Sequence, residues 1–140
     1  MASARTPCAG PTPSRLCVLV VDDEPAICAV VTSALKRAGY DALSALGGEA
    51  AHDLLRSRRI DVLVLDLRMP DMRGDVLYYL ASALQPHLAR ATMFLTGDVT
   101  AEGRKMIAEC GSPLVRKPYD IEVLLDTVAA LCPQAREEIA

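Results

Sequence analysis

The sequence lacks any apolar run long enough to cross a membrane, although 51% of its 140 residues are hydrophobic. A membrane-spanning helix needs about 20 consecutive apolar residues. The first fifteen residues also lack the apolar segment of a secretory signal peptide, and they contain three prolines. We therefore expect a cytoplasmic protein without a membrane segment.

Other classes of protein are disfavoured by the cysteines and by the charge. The five cysteines, an odd number, show none of the spacings of zinc sites or redox motifs, so we expect reduced thiols. The formal net charge of -3 gives no support for direct nucleic-acid binding. The length and the 24% of charged residues are those of one ordinary soluble domain.

Short apolar segments alternate with amphipathic segments along the chain. The apolar segments predict five strands, at Leu16–Val21, Tyr40–Leu46, Val62–Leu65, Ala91–Thr96 and Pro113–Arg116. The amphipathic segments predict five helices, at Pro25–Ala38, Glu49–Arg58, Asp75–Leu84, Thr100–Cys110 and Ile121–Leu131. This alternation predicts an α/β fold, in which helices cover both faces of a parallel sheet. We expect the domain to occupy residues 15–132, between a flexible N-terminal tail or linker (1–14) and a C-terminal tail (133–140).

Polar side chains stand at the ends of four of the predicted strands. Asp22 and Asp23 follow the first strand, and Asp66 follows the third. Thr96 ends the fourth strand, and Lys117 follows the fifth. Because the carboxyl ends of parallel strands meet at one edge of the sheet, we expect these five side chains to lie close together.

The expected cluster has the chemistry of a phosphoryl-transfer site. Three neighbouring carboxylates repel one another unless a cation is bound, and oxygen ligands without His or Cys favour Mg²⁺. A carboxylate can also accept a phosphoryl group, and we predict this role for Asp66 because it ends a buried strand. Mg²⁺ would hold one phosphoryl oxygen, the Lys117 ammonium another and the Thr96 hydroxyl a third.

Four motifs, in this order, make the sequence resemble the receiver domain of bacterial two-component response regulators. They are Val20-Val21-Asp22-Asp23-Glu24-Pro25, Leu65-Asp66-Leu67-Arg68-Met69-Pro70 with Gly74, Leu95-Thr96-Gly97, and Lys117-Pro118-Tyr119. The resemblance covers the chain from about Arg15 to Leu131. It implies a three-layer, flavodoxin-like (βα)5 fold with strand order 2-1-3-4-5. It also implies that Asp66 receives phosphate from a sensor histidine kinase or a phosphotransfer protein.

The resemblance further implies a role for each site residue. Asp23 and Asp66 would bind Mg²⁺ directly, together with the backbone carbonyl of Arg68, and Asp22 would act largely through water. The Lys117–Pro118 peptide bond is expected to be cis. Such a domain is a signalling domain and not an enzyme, although it assists its own phosphorylation and slow dephosphorylation. We expect a monomer or weak homodimer that switches its binding to a downstream partner.

One position departs from the family pattern. Many receivers have an aromatic residue three positions before the lysine, and this residue moves together with the Thr or Ser. Here that position is Leu114, which places the usual coupling in question. The segment from Cys110 to Leu114 is also one residue shorter than the common form. This variant is similar to receivers fused to hybrid sensor kinases.

Two other functions are compatible with parts of the pattern. A receiver-like module could bind partners without being phosphorylated; Leu114 leaves room for it, whereas the acidic residues and Lys117 argue against it. A phosphatase of the haloacid dehalogenase type also uses a strand-end Asp and Mg²⁺. That class needs a second Asp two residues later, where this chain has Arg68.

Overall fold

A computed structural model describes residues 15–67, 69–96, 101–116 and 120–133, with only the backbone at residues 96, 101–103, 106, 110 and 116. The five strands are β1 (Cys17–Val21), β2 (Asp41–Ala45), β3 (Val62–Asp66), β4 (Thr92–Thr96) and β5 (Leu114–Arg116). The five α-helices are α1 (Pro25–Arg37), α2 (Gly48–Ser57), α3 (Gly74–Leu84), α4 (Ala101–Cys110) and α5 (Ile121–Leu131). A short 3-10 helix, Pro86–Arg90, lies between α3 and β4.

The strands form one parallel sheet in the order β2-β1-β3-β4-β5. This confirms the predicted α/β fold and the strand order 2-1-3-4-5. Buried residues of α1 and α5 pack on one face of the sheet, and those of α2, α3 and α4 pack on the other. The middle of the sheet therefore lies between two helical layers, and the carboxyl ends of β1 and β3 are neighbours at one edge.

The central strands are buried on both faces. In β1, Leu19 and Val21 join the apolar cluster on the α2–α3–α4 side, whereas Val18 and Val20 join the cluster on the α1–α5 side. Successive side chains of a strand point to opposite faces, so a continuous apolar run fills both layers. Among the described residues, none of the helices has both the length and the apolar character needed to cross a membrane.

Helix starts differ from the predicted ones at two glycines. α2 begins at Gly48 and α3 at Gly74, each one residue earlier than predicted. Glycine is a poor helix former, so sequence patterns place it outside helices. Both glycines instead lie where a neighbouring segment leaves no space for a Cβ atom. The predicted N-cap of α5 is confirmed, because the Asp120 carboxylate accepts a hydrogen bond from the Glu122 amide at 2.8 Å.

Two adjacent tyrosines of α3 give a matched test of the core. Tyr78 is buried; its hydroxyl donates to the Ala89 carbonyl at 2.8 Å, and its ring centroid lies 5.9 Å from that of Phe94. Tyr79 is 57% exposed. We expect Tyr78→Phe to lower the free energy of unfolding by about 1 kcal/mol, because the carbonyl loses its donor. Tyr79→Phe should lower it less, because the Tyr79 side chain is largely exposed. Urea denaturation measures both values, and equal effects would contradict this assignment.

Candidate functional site

Three acidic residues meet at the carboxyl edge of the sheet. Asp22 directly follows β1 and is fully buried, whereas Asp66 is the last residue of β3 and is 4% exposed. Asp23 is exposed. Because β1 and β3 pair in parallel, their ends lie side by side. One carboxylate oxygen of each residue lies within 4.8 Å of the other two. The grouping predicted for these three residues is therefore present.

Asp22 also shapes the turn between β1 and α1. Its amide donates to the Ala45 carbonyl at 3.1 Å, which extends the pairing of β1 with β2 by one residue. Its Oδ1 atom accepts a hydrogen bond from the Glu24 amide at 3.0 Å. Pro25 then occupies the first turn of α1, where the lack of an N–H costs nothing. These contacts fix the backbone that carries Asp23.

The backbone of Asp66 is held by β4 and by the start of α3. Asp66 lies opposite Leu95 in the sheet, and the Leu67 amide donates to the Leu95 carbonyl at 3.1 Å. The Gly74 amide in turn donates to the Leu67 carbonyl at 3.0 Å. A Cβ atom at Gly74 would lie 2.6 Å from the Asp66 carbonyl oxygen. Only glycine allows α3 to begin this close to the end of β3.

Sequence reasoning missed one polar residue, Asp71, in the loop between β3 and α3. Its carboxylate accepts hydrogen bonds from the backbone amides of Gly48 and Glu49, at 3.1 and 3.2 Å. These two amides, Gly48 first, hold the pKa of Asp71 below its ordinary value. The adjacent glycines Gly47 and Gly48 are the available signal in the sequence. No local pattern connects it to a residue more than twenty positions away.

The remaining predicted residues are described in part. The backbone of Thr96 ends β4 and lies opposite Arg116 in β5, at the same edge as Asp66. Arg68 and Lys117, with the peptide bond predicted to be cis, lie outside the described residues. Leu114 is partly buried and packs against the apolar cluster on the α2–α3–α4 side. The position of the missing aromatic residue is therefore filled by a core side chain.

The donor set of the cluster fits a hard divalent cation. Asp22 and Asp66 are both buried, and one oxygen of each lies within 4.8 Å of the other, so a cation between them would favour the charged form of both carboxylates. The group contains only carboxylates, without His or Cys. Mg²⁺ prefers such oxygen ligands and needs only one or two carboxylates from a protein. The three residues could therefore hold Mg²⁺.

The chain matches the model of a known protein family and resembles individual known proteins. A family model described as the response regulator receiver domain matches residues 18–129. The "Probable transcriptional regulatory protein TcrX" of Mycobacterium tuberculosis is 39% identical over 116 residues, which cover 81% of this chain and 48% of that protein. The "Heme response regulator HssR" of Staphylococcus aureus is 30% identical over 114 residues, which cover 81% of this chain and 50% of that protein. The chain thus spans about half the length of these relatives.

Solved structures share the fold. A response regulator receiver domain protein (CheY-like) from Methanospirillum hungatei has a TM-score of 0.81 at 23% identity, over 89% of this chain and 99% of that one. A response regulator protein from Burkholderia pseudomallei, solved "with a phosphorylated aspartic acid, calcium ion and citrate", has a TM-score of 0.74 at 23% identity. It is covered over 73% of its length, and this chain over 89%. Together with the family match, these findings show that the chain belongs to the response regulator receiver domain family.

Proposed function

We propose that the chain is a phosphate-switched signalling domain in which Asp66 accepts a phosphoryl group from a histidine kinase or a phosphotransfer protein. The observation that carries the proposal is the cluster of three carboxylates within 4.8 Å at the carboxyl edge of the sheet. A solved structure with the same fold contains a phosphorylated aspartic acid and a calcium ion. For this chain we propose the same kind of modification and Mg²⁺ as the cation.

The proposed reaction is a transfer between two side chains. A carboxylate oxygen of Asp66 attacks the phosphorus of a phosphohistidine; the new O–P bond forms as the N–P bond breaks, and the imidazole leaves with its electron pair. Asp66 is 4% exposed and ends β3 at the carboxyl edge of the sheet, so we expect a donor to approach at that edge. Mg²⁺, when bound, supplies positive charge that offsets the carboxylates and the transferred group. Asp22 and Asp23 would hold it, together with Asp66.

Three further residues complete the proposal on the basis of their motifs. The Lys117 ammonium would neutralise one phosphoryl oxygen, and the Thr96 hydroxyl would donate to another. The backbone carbonyl of Arg68 would be a metal ligand. Thr96 ends a strand at the same edge as Asp66, which supports its role. Lys117 directly follows β5, the neighbour of the strand that carries Thr96.

We further propose that phosphorylation changes the binding of a downstream partner. One relative is named a probable transcriptional regulatory protein and another a heme response regulator. The chain covers about half of each, so the output of this chain need not be theirs. Within this proposal the domain is a switch. It receives its phosphoryl group from a donor and loses it to water by hydrolysis, and it acts on no separate substrate.

Acetyl phosphate gives a direct test of the phosphoacceptor. With Mg²⁺ and acetyl phosphate, we expect the protein to gain the mass of one phosphoryl group in an adduct that hydroxylamine removes. Asp66→Asn should abolish the adduct, because the amide is a far weaker nucleophile than the carboxylate. Asp75→Asn is the matched control: Asp75 lies in the first turn of α3, is bound to Arg73, and should not affect the adduct.

The same experiment separates the alternative functions. A wild-type protein that forms no adduct would favour a module that binds partners without phosphorylation. Turnover of unrelated phosphate esters would favour a phosphatase. An adduct that persists in Asp66→Asn would assign the phosphoryl group to another residue.

A second test concerns the carboxylate cluster. At a Mg²⁺ concentration ten times the dissociation constant, we expect the free energy of unfolding to rise by about 1.4 kcal/mol. Asp23→Asn should raise stability in EDTA, because one repelling charge is removed, and should lose most of the gain from Mg²⁺. Asp41→Asn is the control, since Asp41 is an exposed acid at the opposite edge, at the start of β2. Urea denaturation at constant ionic strength distinguishes the two variants, and equal Mg²⁺ gains would argue against the site.

The close approach of α3 to Asp66 is also testable. Alanine is the better helix former by up to about 1 kcal/mol, so helix propensity alone would make Gly74→Ala stabilising. Because the new Cβ atom would meet the Asp66 carbonyl, we expect a loss of about 1–3 kcal/mol in the free energy of unfolding. We also expect slower adduct formation with acetyl phosphate. A gain in stability with an unchanged rate would show that the contact is unimportant.

A further inference from the structure

The loop between β3 and α3 is attached to the N-terminus of α2 through Asp71. Its Oδ1 atom accepts the Gly48 N–H at 3.1 Å, and its Oδ2 atom accepts the Glu49 N–H at 3.2 Å. The first amides of a helix have no partners within the helix and usually bond to the side chain of a preceding cap residue. The cap position of α2 is Gly47, which has no side chain. A residue of a different loop therefore supplies the cap.

The two glycines before and within α2 fit this loop closely. A Cβ atom on Gly47 would lie 2.9 Å from both carboxylate oxygens of Asp71. On Gly48 it would lie 2.5 Å from the Cβ atom of Met72. Gly47 has a φ angle of 179°, which any residue can adopt, so its backbone conformation does not require glycine. The contact with the loop is what requires a residue without a side chain at these two positions.

The same loop is fixed to the phosphoacceptor strand at its ends. The loop begins directly after Asp66, and the Gly74 amide at its far end donates to the Leu67 carbonyl at 3.0 Å. Its middle is held only a few residues away, at Asp71, by α2. The described part of the loop is thus attached near Asp66 at Leu67 and Gly74 and to α2 at Asp71, so a change at one attachment can act on the other. Asp71 itself is not among the three clustered carboxylates.

We propose that Asp71 is a positioning residue that couples the Asp66 site to the first turn of α2. Its carboxylate holds the loop between β3 and α3 in the conformation that the Asp66 site uses. How rigidly the Gly48 and Glu49 amides are held then depends on whether a ligand occupies the Asp66 site. This inference rests on the proposed function only for the identity of the occupant, Mg²⁺ or a phosphoryl group. Coupling between two sites is reciprocal. If the contact between Asp71 and α2 tightens the binding of a ligand at Asp66 by a given factor, the bound ligand stabilises that contact by the same factor.

The test uses three variants of the full chain. Asp71→Ala removes both acceptors; Asp71→Asn keeps one acceptor oxygen and the size of the side chain. Glu49→Gln is the matched control, because it removes a charge from the same end of α2 and leaves the Asp71 contact intact. Amide hydrogen exchange at Gly48 and Glu49 measures the contact directly. The Mg²⁺ concentration that gives half-maximal adduct formation with acetyl phosphate measures its effect on the site.

Asp71→Ala should accelerate exchange at the two amides about tenfold and raise the half-maximal Mg²⁺ concentration about fivefold. The maximal rate at saturating Mg²⁺ should stay within about twofold of the wild type, since Asp71 touches none of the reacting atoms. Asp71→Asn should give intermediate values, and Glu49→Gln should behave as wild type. In the wild type, Mg²⁺ should slow exchange at Gly48 and Glu49.

Three results would overturn the inference or separate it from the proposed function. Unchanged exchange in Asp71→Ala would show that the contact does not order α2. Faster exchange with an unchanged Mg²⁺ dependence would show a contact that is structural only. If the wild type forms no adduct, the proposed function fails. In that case the inference is decided by the Mg²⁺ affinities of the wild type and of Asp71→Ala, each measured from the amide resonance of Asp66. Equal affinities would overturn the inference. Weaker Mg²⁺ binding in Asp71→Ala would support it.

Discussion

The close approach of Asp22, Asp23 and Asp66 is the constraint on which the carboxyl edge of the sheet depends. Two of these carboxylates are buried, and one oxygen of each of the three lies within 4.8 Å of the others. A chain would not adopt this arrangement for the stability of the acids themselves. It follows from β1 and β3 pairing in parallel at the centre of a sheet that is buried on both faces. The apolar layers hold the three carboxylates together, and neighbouring carboxylates favour the binding of a cation.

Around this cluster, close contacts between segments take precedence over the helix propensity of single residues. Gly48 and Gly74 are each the first residue of a helix, although glycine is a poorer helix former than alanine. In return, α3 starts directly against the Asp66 carbonyl, and α2 starts against Asp71 and Met72. A Cβ atom at either glycine would meet a neighbour at 2.5–2.6 Å. The position of Asp66 is therefore determined by backbone contacts on several sides.

Local patterns in the sequence were enough to predict most of the fold and part of the site. Apolar runs such as Val62–Leu65 identified the strands, and parallel pairing then brought Asp22, Asp23 and Asp66 to one edge. What local patterns missed depends on contacts between distant segments. The bonds from the Asp71 carboxylate to α2 join residues that are more than twenty positions apart. The starts of two helices at glycines have the same cause, because propensity describes a helix alone and not the loop packed against it.

The packing of Leu114 bears on how a change at Asp66 could reach the rest of the molecule. An aromatic residue at that position can move between an outer and an inner location, whereas Leu114 is smaller and already packs against the apolar cluster on the α2–α3–α4 side. Elements bonded directly to the loop after Asp66 are then better placed to respond. Among the helices that the structure describes, α3 is bonded to this loop through Gly74 and α2 is bonded to it through Asp71. The α3 contact is a backbone bond directly beside Asp66, and the Gly74 backbone there lies too close to the Asp66 carbonyl to move freely. The α2 contact is an exposed carboxylate bonded to two amides, and it can break and re-form more readily than the α3 contact. We therefore propose α2 as the element that responds.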